Sequence, residues 1–579
     1  MNERTRIARE LKFRRRLVVT VFLCAAAALA SRAVELQLYE SDFLQSHGDA
    51  RYLRVEQIHA DRGMVLDRTG EPLAISTPTQ SAWLMPSDFL QERERWPELA
   101  RTLGISVAQL ETLVIPRLDR QFIYLRRHLT PDEGQAIRKL GLAGVGLQQE
   151  YRRYYPAGEV TSHVIGFTNV DDRGQEGVEL AYDEQLRGVA GLRRVIKDRL
   201  GRVVEDVERL QPIRPGEDLM LSIDERVQYV AYRALKNAVH TERARAGSMV
   251  IVNPTTGEIL ALVNQPSYNP NNRGELKVEH FRNRAVTDVF EPGSTMKPFT
   301  VAIALETGRY QPDTVIETTP GRFMVGRNTV RDIKNFGPLT VAGVIEKSSN
   351  VGASKIALSL DRETLWHGLR RFGFGTATDV SLPGEAYGRL NDHVNWSDIE
   401  HATLAFGYGL SVTAVQLTRA YSVLANDGWL QPLSIVRRDT PPPRERVISP
   451  ATARAVRAML ERVVTDGTAK LAQVPGYSVA GKTGTVHKSI VSGYADNRYL
   501  SLFAGMIPAG EPRLVAAVIL DEPMGSEHFG GRVAAPIFAT VMREATRILN
   551  IPPDAPGQQP PAPVWLATRA SAAAVEAKP

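Results

Sequence analysis

The sequence predicts an α+β protein, in which helices pack on a sheet, preceded by an irregular strand-rich region and by one membrane-spanning helix. A basic start runs directly into an apolar stretch, and short β-branched runs broken by Gly and Pro follow up to about residue 215. From Leu219 onward, helix-period and strand-period apolar patterns alternate. The chain has 579 residues, of which 43% are hydrophobic. This composition suits several globular domains and excludes a multispanning transporter.

Positive charge is concentrated at the start of the chain. Residues 1–16 carry seven Arg or Lys and two Glu, so they account for most of the net charge of +6. The rest of the chain is close to neutral. It therefore lacks the basic field that a nucleic-acid partner requires, and we expect no nucleic-acid binding.

The apolar stretch predicts a membrane anchor over residues 17–36. Leu17 to Ala30 carry no charge, and the apolar helix can continue past Arg32 because a long Arg side chain can reach the interface. The positive-inside rule then leaves residues 1–16 as a cytoplasmic tail and places the rest of the chain outside the cytoplasm. A signal peptide cleaved after Ala28-Leu29-Ala30 is the alternative.

A single cysteine, Cys24, limits the chemistry of the protein. One thiol cannot form an intramolecular disulfide or a Cys-based zinc site. We therefore expect neither thiol redox chemistry nor a thiolate metal site.

Residues 37–215 are predicted to form a pedestal of short strands, with one helical stretch near Asp88 to Leu113. Within the pedestal, Arg62, Asp67 and Arg68 are expected to form a buried structural charge cluster. The next domain, residues 216–550, is followed by a Pro- and Ala-rich tail over residues 551–579 that is predicted to be disordered.

The pattern of residues 216–550 predicts a sheet built from both ends of this segment. A helix is expected over Glu225 to Val239. Strands over 248–252 and 259–263 flank a polar turn and form a hairpin. Two further strands, Tyr499 to Ile507 and Leu514 to Leu520, complete the sheet, and buried helices lie between.

A Ser-x-x-Lys motif is the first candidate for catalysis. Ser294 opens a buried apolar helix, and Lys297 lies one turn later on the same face. A desolvated lysine can lose its proton near neutrality and act as a base toward serine. Taken alone, the motif more often means a capping serine and a lysine that reaches solvent.

A second motif, Ser348-Ser349-Asn350, ends a helix that begins near Leu339. The Ser348 hydroxyl could relay a proton, and the Asn350 amide could hold a substrate carbonyl. Ser and Asn at a helix end are more often simple caps, so this motif is weak by itself.

A third motif, Lys482-Thr483-Gly484-Thr485, lies in a predicted strand. Alternation places Thr483 and Thr485 on one face, where their hydroxyls could receive a carboxylate. Gly484 is typical of a strand that another backbone approaches closely. Lys482 enters the same cleft only if the strand twists.

The same segment matches a nucleotide-binding P-loop. Residues 476–483 fit the pattern G-x-x-x-x-G-K-[ST], and the apolar run 514–521 ends in an acid. However, Gly484 and the residues after it are poor helix formers, and a P-loop requires a helix directly after Thr483. The region is also expected outside the cytoplasm, so we reject an ATPase.

In this order and spacing, the three motifs resemble those of penicillin-recognising serine acyltransferases. Residues 62–74, which include Arg62-Gly63 and Asp67-Arg68, resemble the opening motif of class B penicillin-binding proteins. Residues 265–272 and 407–428 resemble the division-specific branch of that family. The resemblance spans about residues 10–550 and implies a β-lactamase-like transpeptidase fold, with an antiparallel sheet and packed helices.

The resemblance also implies substrate, mechanism and roles. The substrate would be peptidoglycan stem peptides ending in D-Ala-D-Ala, and β-lactams would acylate the nucleophile. The implied catalytic residues are Ser294, Lys297, Ser348, Asn350 and Lys482. In the implied mechanism, Ser348 is linked to Lys482 and relays a proton to the leaving D-Ala, and no metal or organic cofactor is needed. Thr483, Gly484 and Thr485 would bind the substrate, and backbone N–H groups of Ser294 and Thr485 would form the oxyanion hole.

By the same resemblance, the protein would be anchored in the bacterial inner membrane, with its catalytic domain in the periplasm at the division septum. Its partners would be a SEDS-type lipid II polymerase and other division proteins. A D,D-carboxypeptidase and a catalytically vestigial scaffold remain alternatives. A class A β-lactamase is disfavoured because its Glu-x-x-Leu-Asn element is absent from the sequence.

Overall fold

A computed structural model of the chain describes residues 3–39, 53–58, 60–197, 203–274, 277–440, 442–490 and 493–557. The tail predicted to be disordered begins inside this set, at Ile551. Its residues 558–579 lie outside the described residues, so the prediction of disorder stays a prediction for them.

The described residues contain helices and strands in mixed order. The helices are α1 (Glu3–Val34), α2 (Pro86–Phe89), α3 (Trp96–Leu103), α4 (Val107–Val114), α5 (Pro131–Leu140), α6 (Ser162–Ile165), α7 (Gly177–Ala181), α8 (Asp183–Arg187), α9 (Glu225–Thr241), α10 (Arg284–Thr287), α11 (Lys297–Glu306), α12 (Val341–Lys347), α13 (Asn350–Leu358), α14 (Arg362–Arg371), α15 (Asp398–Leu404), α16 (Ala414–Ala425), α17 (Pro450–Thr465) and α18 (Gly530–Ile548). The strands are β1 (Leu53–Ile58), β2 (Val65–Leu66), β3 (Pro72–Leu84), β4 (Ile123–Leu129), β5 (Val145–Tyr154), β6 (Phe167–Thr168), β7 (Gly174–Glu176), β8 (Gly191–Lys197), β9 (Val203–Gln211), β10 (Leu219–Met220), β11 (Ala246–Val252), β12 (Ile259–Gln265), β13 (Val315–Ile316), β14 (Arg322–Val325), β15 (Asn328–Arg331), β16 (Leu339–Thr340), β17 (Arg389–Leu390), β18 (Leu410–Ser411), β19 (Trp429–Leu430), β20 (Glu445–Arg446), β21 (Ala480–Ile490), β22 (Gly493–Ile507) and β23 (Leu514–Asp521).

The N-terminal helix is long and apolar enough to cross a membrane. Among the described residues, this property belongs to one stretch, Leu11–Gln37, which contains the predicted anchor. Helix α1 begins at Glu3, so the basic residues of the tail continue the same helix as the apolar segment.

The chain divides into two compact units. The first comprises residues 1–61, 78–151 and 188–216, and the second comprises residues 62–77, 152–187 and 217–579. The chain therefore passes between the units several times. Two stretches that the sequence assigns to the pedestal, 62–77 and 152–187, group with the second unit.

The first unit has its own apolar core, centred on Trp96. The Trp96 ring is fully buried and stacks on Phe89 with 5.0 Å between ring centroids. The Trp96 Nε1 donates to the Phe89 carbonyl oxygen at 3.1 Å, which satisfies the polar atom of the ring. The helical stretch expected near Asp88 to Leu113 is broken into several short helices. Gly104 ends α3 in a left-handed conformation with φ 67°, which a helix cannot continue.

A five-stranded antiparallel sheet forms the centre of the second unit. Its order is β12-β11-β23-β22-β21, so strands from both ends of the segment meet, as the sequence predicts. Every residue of β11 and β12 is buried, which requires cover on both faces. Helices α9 and α18 pack against each other and the sheet, and α16 packs on β11 and β23. Strand β21 lies at one edge of the sheet.

The end of the described chain docks onto the segment that precedes β21. Tyr477 donates its hydroxyl to the Ile551 carbonyl oxygen at 2.6 Å. The Asp554 carboxylate accepts from the Ser478 backbone N–H at 2.8 Å and from the Ser478 hydroxyl. Ser478 Oγ in turn accepts from the Ala509 N–H at 2.8 Å. These bonds hold the start of β21.

A buried charge cluster lies in the second unit. Glu179 is fully buried and accepts from Arg62 Nε at 2.8 Å and from Arg153 Nε at 2.6 Å, and Arg62 also pairs with Asp183. Burial raises the pKa of the neighbouring Asp172 to about 6.

The sequence places Arg62, Asp67 and Arg68 in one cluster, and this prediction is wrong. Asp67 Oδ1 accepts from the backbone N–H of Thr69 at 2.7 Å, and Arg68 pairs with Glu258. Strand β2 lies between Arg62 and these two residues. Asp67 also accepts from the backbone N–H of Glu225 at 3.1 Å, so its partners and those of Arg68 differ from the partners of Arg62.

Glu179→Gln should destabilise the protein strongly, because it leaves Arg62 and Arg153 buried without their main counter-charge. Breaking a buried ion pair typically costs about 3–5 kcal/mol. The check is thermal unfolding of the purified full-length protein in detergent. Glu208→Gln is the control because Glu208 pairs with Arg194 on the exposed surface, where ion pairs contribute about 0–1 kcal/mol. Equal losses in the two variants would contradict this assignment.

Candidate active site

The Ser-x-x-Lys motif lies on a tight turn that leads into helix α11. Gly293–Met296 form a 3-10 turn, and the α-helix begins at Lys297, so Ser294 precedes the helix by one turn. Lys297 is fully buried, and its Nζ lies 3.0 Å from Ser294 Oγ. The predicted contact between these two side chains is therefore present.

The turn is fixed by backbone contacts that only small residues allow. Gly293 adopts φ 57°, and a Cβ on Gly407 would lie 2.2 Å from the Gly293 carbonyl oxygen. Tyr421, fully buried in α16, donates its hydroxyl to the Thr295 carbonyl oxygen at 2.9 Å. These contacts hold Ser294 in one place.

The amine of Lys297 is surrounded by four oxygen atoms. Besides Ser294 Oγ, it contacts the Ser348 carbonyl oxygen at 2.6 Å, the Ser348 hydroxyl at 3.0 Å and Asn350 Oδ1 at 2.8 Å. The first two motifs therefore meet at this one nitrogen.

This arrangement suits a neutral amine. The Ser348 carbonyl and Asn350 Oδ1 can only accept, so two N–H groups of Lys297 are committed to them. A neutral amine then has one lone pair left, and a serine hydroxyl can donate to it. The geometry thus allows Lys297 to accept a proton from Ser294.

Burial and a nearby charge also favour the neutral form of the Lys297 amine. Burial is the main reason that the pKa of Lys297 lies far below its usual value, and the nearby Lys482 lowers it further. Burial also lowers the pKa of Lys482 to about 7. Both amines are fully buried, so neither is held in its ionised form by water.

The second motif occupies the junction of two helices. Helix α12 ends at Lys347, and Ser348 directly after it adopts a left-handed conformation with φ 60°. A non-glycine residue in this region is strained, and such strain persists only where the surroundings impose it. Helix α13 begins at Asn350, whose Nδ2 donates to the Arg331 carbonyl oxygen at 3.1 Å. This bond directs Asn350 Oδ1 toward Lys297.

Asp332 is a site residue that the sequence analysis missed. Its Oδ1 accepts from the backbone N–H of Asn350 at 2.5 Å, and its Oδ2 accepts from the Ser349 hydroxyl at 2.6 Å. No motif marks Asp332. Nothing in the sequence around Asp332 points to Asn350, which lies 18 residues later.

The third motif lies in the edge strand β21, as predicted. Lys482, Thr483, Gly484 and Thr485 pair with residues 504–501 of β22. A Cβ on Gly484 would lie 3.1 Å from the Pro292 carbonyl oxygen, so the strand runs directly beside the turn that carries Ser294. Gly484 is therefore small because another backbone lies close to it, as its sequence context indicates.

Two further residues orient the threonines of β21, and sequence reasoning missed both. Thr483 Oγ1 lies 2.9 Å from Thr468 Oγ1, and the backbone N–H of Gly530 donates to Thr485 Oγ1 at 3.0 Å. Because Gly530 opens helix α18, this N–H belongs to a helix N-terminus. With that acceptor position filled, the Thr485 hydroxyl can donate its own hydrogen to an anion.

Lys482 makes a different contact from the expected one. The mechanism implied by the resemblance links Ser348 to Lys482, but no hydrogen bond joins them among the residues described. Lys482 Nζ donates to the Thr483 carbonyl oxygen at 3.2 Å, and Lys297 occupies the position beside the Ser348 hydroxyl. Lys482 therefore acts on Lys297 through its charge.

The segment that matches a P-loop is not one. Lys482 and Thr483 lie inside strand β21, and no helix follows Thr483. A phosphate cradle needs a loop that leads into a helix N-terminus. Within the described part of the chain, no group of three or more His, Cys, Asp or Glu side chains is placed to hold a metal ion.

Family comparisons agree with this site. Residues 247–543 match the penicillin binding protein transpeptidase domain, and residues 57–221 match the penicillin-binding protein dimerisation domain. The chain belongs to the family of penicillin-binding transpeptidases.

Individual relatives narrow the assignment. The chain is 43% identical to the peptidoglycan D,D-transpeptidase FtsI of Escherichia coli, over 94% of this chain and 93% of that protein. It is also 43% identical to the probable peptidoglycan D,D-transpeptidase PbpC of Pseudomonas aeruginosa, over 93% of this chain and 95% of that protein. The solved transpeptidase domain of penicillin-binding protein 3 from Burkholderia pseudomallei matches at 46% identity and a TM-score of 0.54, covering 58% of this chain and 97% of that one. The chain is therefore a class B, FtsI-type penicillin-binding protein and a peptidoglycan D,D-transpeptidase.

Gly530→Ala should slow acylation by penicillin about tenfold or more. The added Cβ would lie 2.4 Å from the Gly484 carbonyl oxygen and 2.3 Å from that of Leu502, so the start of α18 must move and release Thr485. The measurement is the rate of labelling with a fluorescent penicillin. Gly510→Ala is the control because nothing lies within 4 Å of a Cβ there. An unchanged rate in Gly530→Ala would show that this contact does not matter for acylation.

Proposed function

We propose that the protein crosslinks the stem peptides of septal peptidoglycan by two-step acyl transfer on Ser294. The single observation that carries this mechanism is the position of the buried Lys297 amine, 3.0 Å from the Ser294 hydroxyl. Its depressed pKa suits a general base.

In the first step, the lone pair of Lys297 takes the proton of Ser294, and Ser294 Oγ attacks the carbonyl carbon of the penultimate D-Ala. Backbone N–H groups of Ser294 and Thr485 stabilise the negative charge that develops on the carbonyl oxygen. The peptide bond then breaks. The proton passes from Lys297 through the Ser348 hydroxyl, 3.0 Å away, to the leaving amine.

The other site residues hold the substrate. The hydroxyls of Thr483 and Thr485 donate to the terminal carboxylate of the leaving D-Ala, and Gly484 lets β21 lie close to the turn that carries Ser294. Asn350 orients the stem, and Lys482 adds positive charge near the carboxylate. Support for the role of Thr485 comes from the Gly530 N–H, which donates to its hydroxyl. Asn350 Nδ2 donates one hydrogen to the Arg331 carbonyl oxygen, which leaves its second hydrogen for the stem.

In the second step, an amine of a neighbouring stem attacks the acyl ester and forms the crosslink, while Ser294 regains its proton. A β-lactam enters the first step in the same way, because its strained amide resembles the D-Ala-D-Ala bond. The product ester then reacts only slowly with water, which blocks the enzyme.

The relatives and the N-terminal helix support the proposed cellular setting. FtsI relatives support a role in division, and the helix that contains Leu11–Gln37 supports an inner-membrane anchor. Residues 1–16 would face the cytoplasm and the catalytic unit the periplasm. Glycan polymerisation would come from a SEDS-type lipid II polymerase, together with other division proteins.

Ser294→Ala should abolish the covalent adduct with penicillin, because it removes the atom that forms the ester. Intact-mass measurement of the full-length protein after penicillin treatment, followed by peptide mapping, checks this. Ser354→Ala is the control, since Ser354 is buried on α13 and donates to the Ala402 carbonyl oxygen, away from Lys297. An adduct on the Ser294→Ala protein would overturn the nucleophile assignment.

Product analysis separates the proposed reaction from its rivals. Incubation with uncrosslinked peptidoglycan strands should give crosslinked dimers that disappear in Ser294→Ala. Trimmed monomers alone would indicate a D,D-carboxypeptidase. Normal division of cells that carry only Ser294→Ala would indicate a scaffold without essential catalysis.

A further inference from the structure

Asp332 contacts the junction of helices α12 and α13, although it belongs to none of the three motifs. It follows strand β15 directly and reaches the turn formed by Ser348, Ser349 and Asn350. Its carboxylate accepts three hydrogen bonds: from Asn350 N–H at 2.5 Å, Val351 N–H at 3.1 Å and the Ser349 hydroxyl at 2.6 Å.

These bonds complete the N-terminus of helix α13. The first N–H groups of a helix have no partner within it. In α13, the Asp332 carboxylate accepts from the N–H groups of Asn350 and Val351. Ser349 Oγ accepts from the N–H of Gly352 at 2.9 Å. An anion at this helix end is also favoured by the helix dipole. The position of Asn350, and hence of its contact with Lys297, therefore depends on a side chain from another segment.

Asp332 also acts on Lys297 through its charge. Two ionisable side chains influence the Lys297 amine: Lys482 from β21 favours the neutral form, and Asp332 favours the charged form. The side chains in hydrogen-bond contact with that amine, Ser294, Ser348 and Asn350, are uncharged. The charges of Asp332 and Lys482 therefore have opposite effects on the pKa of Lys297.

We propose that Asp332 is a positioning residue of the transpeptidase reaction. It holds the turn that carries Ser348 and Asn350 against Lys297, and it supplies a negative charge that sets the lower pH limit of acylation. This inference rests on the proposed function, because it assumes that Lys297 is the base.

An ordinary helix cap is the competing explanation, and the chain contains a matched example. Asp361 caps helix α14, accepting from the Thr364 N–H and hydroxyl, both at 2.8 Å. Asp361 is exposed, and its bonds go to no residue of the site. A substitution there therefore measures the loss of a carboxylate cap alone.

The experiment measures the second-order rate of acylation by a fluorescent penicillin across pH, using full-length protein in detergent. Asp332→Asn keeps the size and one acceptor oxygen but removes the charge. Without that charge the Lys297 ammonium is less stable, so its pKa falls and the amine stays neutral at lower pH. We expect the acidic limb of the profile to move down by about 0.5 pH unit or more.

Asp332→Ala removes the hydrogen bonds as well, so its plateau rate should fall about tenfold or more. Asp361→Asn should leave both the limb and the plateau unchanged. If the acidic limb of the pH profile of Asp332→Asn coincides with that of the wild type, the proposal is overturned. A plateau in Asp332→Ala within about twofold of that in Asp361→Asn would also overturn it.

Thermal unfolding of each variant shows whether it is folded. If the Asp332 variants do not fold, the Ser349→Ala variant tests the proposal instead. It removes one hydrogen bond to Asp332 and keeps the Asp332 charge. We expect a lower plateau with an unmoved limb, and a wild-type plateau would overturn the proposal. Failure of the wild-type protein itself to react with penicillin would instead refute the proposed function.

Discussion

The structure depends on the burial of one amine. Lys297 has no exposed surface and meets four oxygens, two of which can only accept hydrogen bonds. Solvation would keep this amine protonated, and burial removes that solvation. Water is excluded from this amine by the apolar helix α11, the strained Ser348 and the edge strand β21. The same elements bring a hydroxyl to its lone pair.

The residues around this amine come from segments far apart in sequence. Helix α11 provides Lys297, the α12–α13 junction provides Ser348 and Asn350, and β21 provides Lys482. The sheet makes this possible because its order joins strands from the two ends of the domain. The motifs therefore have fixed order in the chain but meet only when the whole domain has folded.

Many elements of the fold and one contact of the site could be predicted from the sequence, because periodic patterns indicate local structure. The hairpin β11–β12, helix α9, strands β22 and β23 and the contact between Ser294 and Lys297 were all predictable. Asp332, Thr468 and Gly530 were not, since each acts through a hydrogen bond to a distant segment and belongs to no periodic pattern. The prediction of the charge cluster failed for the same reason. Arg62 and Asp67 lie close in sequence, but Arg62 pairs with Glu179, whereas Asp67 accepts from the backbone of Glu225.

The docking of Ile551 and Asp554 onto Tyr477 and Ser478 has a consequence for how the protein is made. These last contacts hold the start of the strand that carries Lys482. Residues 551–554 follow the rest of the described catalytic unit in the chain, so the start of this strand is held only after nearly all of that unit has been synthesised.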